Sequence, residues 1–243
     1  MKAMIFAAGL GTRLKPLTDS IPKALVPIAG RPLLEHVILK LKASGFNHIL
    51  INVHHFPNQI IDFVLTNNAF GLRIEISDER ELLLDTGGGL KKATAFLDGD
   101  EPFLVHNVDI LSNIDLGELM HQHRRTNPLA TLVVSERNTF RYLLFSDDQR
   151  LHGWMNEKTG ETRPADFKHP EHYNKLAFSG IQVLTPQALK LMENYPDKFP
   201  IMDFYLNEAH NHNILSFVPS NYRMLDVGKL DVLDEAEQFV AEQ

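Results

Sequence analysis

The sequence contains no cysteine, no long apolar run and no cluster of lysine and arginine. The lack of cysteine excludes disulfide bonds and thiol chemistry and is compatible with a cytoplasmic location. No apolar stretch approaches the ~18 residues that a membrane-spanning helix needs. The apolar run after Lys2 is too short for a signal peptide and lacks a cleavage region. Because neither a signal peptide nor a membrane-spanning stretch is found, we expect a soluble cytoplasmic protein that binds no membrane. The net charge of −7 argues against binding to nucleic acid.

Two common nucleotide-binding motifs are missing as well. The Rossmann fingerprint needs a third glycine, here at position 14, and an acidic residue about 20 residues further on, at the end of the next strand. The sequence has Leu14 instead, and its next strand-like run ends in His54 and His55. No Gly-Lys pair is followed by Ser or Thr, which excludes a P-loop. The 12 histidines show no convincing zinc spacing, and no Ser-His-Asp or Cys-His arrangement occurs.

A loop rich in glycine and proline, at residues 7–32, follows an apolar run typical of a buried strand. Gly9 and Gly11 let the backbone turn sharply and approach a ligand closely. Arg13 and Lys23 lie on either side of a segment stiffened by proline. Because backbone N–H groups and fixed positive charges both favour a polyanion, the loop predicts a phosphate-binding site. The alternative is a surface loop with solvated charges, which the length of the whole pattern disfavours.

Alternating strand-like and helical patterns predict an α/β fold. A chain of 243 residues with 44% hydrophobic content fits one large domain. The order strand, helix, strand, helix, strand over its first third implies right-handed crossovers and a doubly wound, mostly parallel, Rossmann-like sheet. The predicted strands are 1–8, 48–53, 72–77, 103–107, 130–135, 142–145, 151–155, 182–184 and 214–218. The predicted helices are 32–44, 58–67, 90–96, 116–126, 186–193, 201–211 and 230–241.

Two further segments follow predicted strands at the edge where such sheets bind ligands. The segment 85–89 is predicted as a loop before a short helix, and its three glycines leave room for a base or a ribose. The alternative is a mobile hinge without contacts. Asp109 follows a buried strand, where a carboxylate is well placed to hold Mg²⁺. The alternative is that Asp109 caps the next turn.

The loop resembles the signature loop of the sugar-1-phosphate nucleotidyltransferases, and the resemblance extends over essentially the whole chain. It is carried by Gly9-Leu10-Gly11-Thr12-Arg13, Pro16, Thr18, Pro22-Lys23, Pro27 and Arg31-Pro32. Within that superfamily, Asp85-Thr86-Gly87-Gly88-Gly89 most resembles the N-acetylmuramate 1-phosphate uridylyltransferases, with the mannose-1-phosphate guanylyltransferase-like members close behind. No hexapeptide repeat occurs, so we expect the left-handed β-helix acyltransferase domain of some members to be absent.

The resemblance implies a role for each matching segment. It implies catalysis by Arg13 and Lys23, and metal binding by Asp109 and Asp226. The alternative for Asp226 is that it caps the start of the last helix. It implies nucleotide binding by Ala7, Ala8, Gly9, Gly11, Thr12, Thr86, Gly87 and Gly88. It implies sugar binding by Asn107, Glu157, Lys158, Ser179 and Gly180. For Glu157 and Lys158 an exposed charged turn is an equally good alternative. The sequence departs from the family pattern at Val108, Thr159, Met224 and Lys229.

The implied organisation is a single nucleotidyltransferase domain over residues 1–243. Residues 1–135 are expected to bind mainly the nucleotide, and 139–220, with a small insertion, mainly the sugar. Residues 221–243 are expected to carry a metal motif and the last helix. The implied partners are a nucleoside triphosphate and a sugar 1-phosphate, with Mg²⁺ as cofactor, in a monomer or homodimer.

The implied reaction transfers a nucleotidyl group to the sugar 1-phosphate and releases pyrophosphate. UTP and N-acetylmuramate 1-phosphate are the favoured substrates. One alternative is a mannose-1-phosphate guanylyltransferase-like enzyme, or one acting on a heptose phosphate. Another is a nucleotide-sugar sensor that binds without turnover, which the departures from the family pattern keep open.

Overall fold

A central β-sheet with helices on both faces forms the frame of the protein. The structure, a computed structural model, describes residues 1–242. The strands are β1 (Lys2–Phe6), β2 (Pro27–Ile28), β3 (Arg31–Pro32), β4 (His48–Val53), β5 (Arg73–Asp78), β6 (Phe103–Asn107), β7 (Ile110–Ser112), β8 (Ala130–Ser135), β9 (Arg141–Phe145), β10 (Leu151–Asn156), β11 (Glu161–Arg163), β12 (Asn174–Leu184), β13 (Ile214–Phe217) and β14 (Met224–Asp226). The α-helices are α1 (Leu33–Ala43), α2 (Pro57–Thr66), α3 (Asp85–Lys92), α4 (Thr94–Leu97), α5 (Leu116–Thr126), α6 (Pro186–Met192), α7 (Ile201–Glu208) and α8 (Leu233–Ala241).

The sheet is parallel where it carries the glycine-rich loop and antiparallel at its other edge. Its main strand order is β11-β10-β9-β12-β6-β1-β4-β5, and β8 joins β12 to β13. The pairs β6-β1, β1-β4, β4-β5 and β8-β13 are parallel. Strand β12 pairs antiparallel with β6, β8 and β9, and β9, β10 and β11 form an antiparallel extension. The predicted doubly wound α/β sheet is confirmed.

The strands at the centre of the sheet bury both faces, which explains their nearly continuous apolar sequences. In β1, Met4 and Phe6 face a core shared with α3, α6 and α7, whereas Ala3 and Ile5 face a core shared with α1, α2 and α5. Covering both faces leaves the ends of the strands as the accessible edge. The loop after β1 and the turn after β6 both lie at that edge.

In a third apolar cluster, the glycine-rich loop packs against the last helix. It contains Leu14 and Val26 of the loop, Val227 beyond β14, and Ala236 and Phe239 of α8. The predicted C-terminal helix therefore packs against the loop rather than against the central sheet.

The structure changes one predicted boundary near the site. The sequence predicted a loop at 85–89 and a helix from 90, but α3 already begins at Asp85, so the three glycines lie inside the helix. Of the helices within residues 1–242, none has the length and apolar character needed to span a bilayer.

Candidate active site

The loop between β1 and α1 turns at Gly11, whose φ is 66°. The carbonyl oxygen of Gly11 accepts hydrogen bonds from the N–H of Leu14 at 2.9 Å and from Oγ1 of Thr18 at 2.8 Å. A Cβ atom at position 11 would stand 2.9 Å from Cγ2 of Thr18 and 3.1 Å from Cβ of Lys23. Both conformation and space therefore require glycine there. Among residues 1–242, no atom lies within 4 Å of a Cβ placed on Gly9, so the backbone at Gly9 is open to a ligand.

Two carboxylates from distant parts of the chain meet at the end of β6. Asp109 follows β6 and forms an ion pair with the buried ammonium group of Lys23. Asp226 stands opposite Ile110 in the antiparallel pair of β14 and β7, and the N–H of Val227 donates to the carbonyl oxygen of Asp109 at 2.8 Å. The short β14 thus brings Asp226 beside Asp109.

Two cations accompany these carboxylates. Desolvation in the cleft raises the pKa of Asp226, the negative charge of Asp109 raises it further, and Lys23 and Arg13 oppose the rise. A Cβ atom on Gly228 would stand 2.7 Å from Nη2 of Arg13 and 2.7 Å from Oδ1 of Asp226. The structure therefore brings together the four residues predicted for catalysis and metal binding. We call Arg13, Lys23, Asp109 and Asp226 the charge cluster.

A cavity of about 290 Å³ lies beside the charge cluster, between the loop, the end of β6 and the start of α3. Its lining includes four residues predicted to bind the nucleotide, namely Ala7, Ala8, Gly9 and Thr86, and also Lys23, Asn107 and Asp109. Thr12 lies outside this lining, and its side chain is exposed in the short turn Thr12–Leu14. The sequence reasoning missed Asp85, which lines the cavity with a left-handed φ of 60°. The size and shape of the cavity suit part of a small ligand.

Gly87 and Gly88 differ from the sequence-based expectation, because they face the protein and not the cavity. Their N–H groups donate to the carbonyl oxygen of Phe199 at 2.8 and 3.2 Å. A Cβ on Gly87 would stand 2.3 Å from the ring of Phe199, and a Cβ on Gly88 would stand 2.1 Å from the carbonyl oxygen of Asp197. These glycines allow α3 to approach the segment before α7, and that approach sets the position of Thr86.

A buried polar chain, not anticipated from the sequence, connects the loop to α3. The side-chain amide of Asn52 accepts from the N–H of Ala7 at 2.8 Å and donates to Glu79 at 2.9 Å. The other carboxylate oxygen of Glu79 accepts from the N–H of Leu84 at 3.3 Å. Burial raises the pKa of Glu79, against the effect of the bond from Asn52. The available signal was an asparagine inside the otherwise apolar strand β4.

Three of the five residues predicted to bind the sugar converge on the end of β6. Gly180 has a φ of 73°, and a Cβ there would stand 2.8 Å from Nδ2 of Asn107. Ser179 precedes it, and its buried hydroxyl has no hydrogen-bond partner within residues 1–242. This corner therefore offers an amide and a hydroxyl beside the first cavity.

Glu157 and Lys158 are not brought to this corner. They occupy the exposed turn after β10, where Glu157 accepts from Lys175 at 2.8 Å. The Lys158 ammonium group lies 5.7 Å from the centre of the Phe140 ring. Neither residue lines the first cavity, so the structure offers no contact between this pair and a ligand bound there.

A second cavity, of about 570 Å³, lies on the antiparallel extension of the sheet. Its lining includes three arginines, Arg137, Arg141 and Arg163, and we therefore call it the arginine cavity. Trp154 and Pro200 also line it. Pro200 also lines the first cavity, so the two cavities adjoin. The sequence reasoning placed a sugar-binding region here but selected other residues.

The sequence matches a family model and several characterised proteins. The model described as Nucleotidyl transferase matches residues 2–243. The N-acetylmuramate alpha-1-phosphate uridylyltransferase of Caulobacter vibrioides is 47% identical over 109 residues, which are 44% of this chain and 45% of that protein. A similar relative from Neisseria meningitidis is matched over 49% of its length. The match thus spans about half the length of these curated relatives.

A second type of relative covers more of the chain at lower identity. The mannose-1-phosphate guanyltransferase of Yarrowia lipolytica is 30% identical over 233 residues, which are 94% of this chain and 61% of that protein. Among solved structures, UDP-glucose pyrophosphorylase complexed with UDP-glucose has a TM-score of 0.77 at 18% identity and covers 99% of this chain and 98% of that one. That likeness shows a shared fold.

Proposed function

The chain belongs to the nucleotidyl transferase family, and from this premise we propose that it transfers a nucleotidyl group from a nucleoside triphosphate to a sugar 1-phosphate. The observation that carries the proposal is the charge cluster beside the first cavity. Nucleotidyl transfer requires a protein to position two polyanions and to stabilise the charge of the transition state. Two cations and two carboxylates beside a cavity lined by open backbone suit that task.

In the proposed reaction, an oxygen atom of the sugar 1-phosphate forms a bond to the α-phosphorus. The bond from that phosphorus to the bridging oxygen breaks, and pyrophosphate leaves with the electron pair. Lys23 reduces the repulsion between the attacking phosphate and the α-phosphate, and Arg13 holds the leaving pyrophosphate. No side chain has to remove a proton, because the attacking phosphate is already ionised at neutral pH.

We propose Mg²⁺ as the cofactor, held by Asp109 and Asp226. Two carboxylates are hard oxygen ligands of the kind that Mg²⁺ takes together with substrate phosphates. The donor set fits, because desolvation and, after it, the negative charge of Asp109 raise the pKa of Asp226, and a divalent cation would offset both effects. When bound, the ion neutralises charge on the phosphate oxygens.

Among the possible substrates, we propose UTP and N-acetylmuramate 1-phosphate. The support is the uridylyltransferase relative at 47% identity, although it is matched over only 44% of the chain. GTP with mannose 1-phosphate is the second candidate, supported by the guanyltransferase relative that is matched over 94% of the chain.

The test is pyrophosphate release with Mg²⁺ from UTP, GTP, dTTP, CTP and ATP, each against a panel of sugar 1-phosphates. Release with UTP and N-acetylmuramate 1-phosphate alone supports the first candidate, and release with GTP and mannose 1-phosphate supports the second. Nucleotide binding without release on any pair refutes the enzyme proposal in favour of a sensor. Lys23→Ala and Asp109→Asn should each abolish most of the release, and near wild-type turnover in both would refute the mechanism.

A further inference from the structure

The floor of the arginine cavity is one face of three antiparallel strands. Trp154 of β10 pairs with Leu143 of β9 on one side and with Arg163 of β11 on the other. Arg141 stands two residues before Leu143 and pairs with Asn156. Residues that pair in register, and residues two apart on one strand, share a face of the sheet. Arg141 and Arg163 therefore stand on the same face, with Trp154 beside Arg163.

The charge of Arg163 is already balanced. Its Nη1 lies 3.0 Å from Oδ1 of Asp203, and its Nε lies 3.5 Å from Oε1 of Glu161. Its guanidinium group also lies 5.2 Å from the centre of the Trp154 ring. Arg163 is thus part of the cavity wall, held by two carboxylates and an aromatic ring.

In the part of the chain that the structure describes, neither Arg137 nor Arg141 forms an ion pair of this kind, although Arg137 interacts electrostatically with Asp226. Arg137 donates to the carbonyl oxygen of Phe178 at 3.0 Å, next to the corner formed by Ser179 and Gly180. Within residues 1–242, no carboxylate lies within 4.0 Å of the Arg141 guanidinium group. The chain has an excess of acidic residues, with a net charge of −7, yet none of the described carboxylates pairs with Arg141. Arg141 is therefore a cation in a cavity without a protein partner, and its planar fork matches a carboxylate.

The charge cluster already provides cations for the phosphates of the proposed reaction. The arginine cavity adjoins the first cavity at Pro200, but Arg141 lies on β9, whereas Arg13 and Lys23 lie in the glycine-rich loop. Arg141 is thus a positive charge separate from those that bind the phosphates, and it would complement a second anionic group on the acceptor.

We infer that the arginine cavity takes the sugar ring and that Arg141 binds a carboxylate carried by that sugar, so that the acceptors are acidic sugar 1-phosphates. This inference rests on the proposed function and deepens it. N-acetylmuramate belongs to the inferred class because its lactyl ether ends in a carboxylate, whereas mannose, glucose and N-acetylglucosamine do not belong to it.

The experiment compares acceptors that differ only in the acidic group. The first pair is N-acetylmuramate 1-phosphate and N-acetylglucosamine 1-phosphate, and the second is glucuronate 1-phosphate and glucose 1-phosphate. Each is assayed for kcat/KM with wild type, Arg141→Met and Arg141→Lys. Arg125→Met is the matched control, because Arg125 is exposed in the last turn of α5 and lines neither cavity.

Wild type should prefer the acidic member of at least one pair. Arg141→Met should lower kcat/KM for that member by about 10- to 100-fold, as expected for a lost bond between charged groups, and leave the neutral member unchanged. Arg141→Lys should restore part of the loss. Equal losses on both members would overturn the inference, because Arg141 would then serve the shared phosphate or the fold. A wild-type preference for both neutral members would overturn it as well.

Direct binding of the same four sugar phosphates, measured by calorimetry, separates this inference from the proposed function. If no pair of substrates releases pyrophosphate, the proposed function fails, and the calorimetry still decides the inference. Tighter binding of the acidic members that Arg141→Met abolishes would support it, and equal binding of both members would refute it.

Discussion

Replacing Gly228 with alanine should separate activity from stability more cleanly than replacing a charged residue. The new Cβ would stand 2.7 Å from both Nη2 of Arg13 and Oδ1 of Asp226, whereas ordinary contacts begin near 3.4 Å. Each group must therefore retreat by at least about 0.7 Å, if it alone moves. Misplacing a reacting group by about 1 Å can cost 100-fold in rate. We therefore expect kcat to fall by about 10- to 100-fold, or about 1.4 to 2.7 kcal/mol of transition-state stabilisation.

Stability should change little in the same variant. The φ of Gly228 lies outside the left-handed range that restricts alanine, and both displaced atoms are ends of side chains that can move. Alanine also restricts the unfolded chain, which favours folding by about 0.4–1 kcal/mol. The assay is pyrophosphate release at saturating substrates, with thermal unfolding measured in parallel. Wild-type turnover would refute the placement of Arg13 and Asp226 in the reaction, and a large loss of stability would refute the argument that only side-chain ends move.

Three further predictions concern folding. Burial lowers the pKa of His106 and His123 to about 4, so the unfolded state binds more protons between about pH 6.5 and 4. The free energy of unfolding in urea should fall over that range, by about 3 kcal/mol per histidine, and less steeply for His123→Gln. Gly88→Ala should lower the melting temperature markedly, because its Cβ would meet the Asp197 carbonyl oxygen at 2.1 Å; an unchanged melting temperature would contradict this. Thr86→Val should cost about 1 kcal/mol in urea unfolding and Thr86→Ser much less, because Oγ1 of Thr86 accepts from the first N–H of α7 at 2.9 Å.

Elements with strong local patterns could be predicted from the sequence. The strand His48–Val53 was predicted with its observed bounds, and Leu116–Thr126 likewise. A buried strand needs a continuous apolar run, and a surface helix needs an apolar stripe, and both can be seen in a short window. The rule that ligands bind at the carboxyl ends of strands also predicts that Asp109 lies near the glycine-rich loop.

Features that depend on distant packing could not be predicted. Three consecutive glycines oppose helix formation by about 1 kcal/mol each relative to alanine, so Gly87–Gly89 was predicted as a loop. The close packing against Phe199 and Asp197 outweighs this unfavourable helix propensity. These two residues are more than 100 positions away, so no local pattern predicts the packing. The arginines at 137, 141 and 163 are likewise scattered in sequence. The pairing of β9, β10 and β11 brings Arg141 and Arg163 together, and Arg137 joins them from the loop between β8 and β9.

The prediction for Glu157 and Lys158 illustrates another limit. The two residues match a family pair in type, but the residue after them is Thr159 instead of proline, and the structure places them in an exposed turn. A match in residue type without a match in spacing therefore does not predict where Glu157 and Lys158 lie in the fold.

The apolar cluster between the glycine-rich loop and α8 has a consequence for synthesis on the ribosome. The N–H of Ala29 reaches Glu237 across 208 residues, and Leu14 packs in the same cluster as Val227 and Phe239. At about 5–20 residues per second, roughly 10 to 40 seconds separate translation of the two sides. During that interval the emerging loop lacks the part of its apolar cluster that Val227, Ala236 and Phe239 supply. The loop that is translated first is therefore among the last parts to be finished, and a nascent chain should gain affinity for nucleotides only when its final helix leaves the exit tunnel.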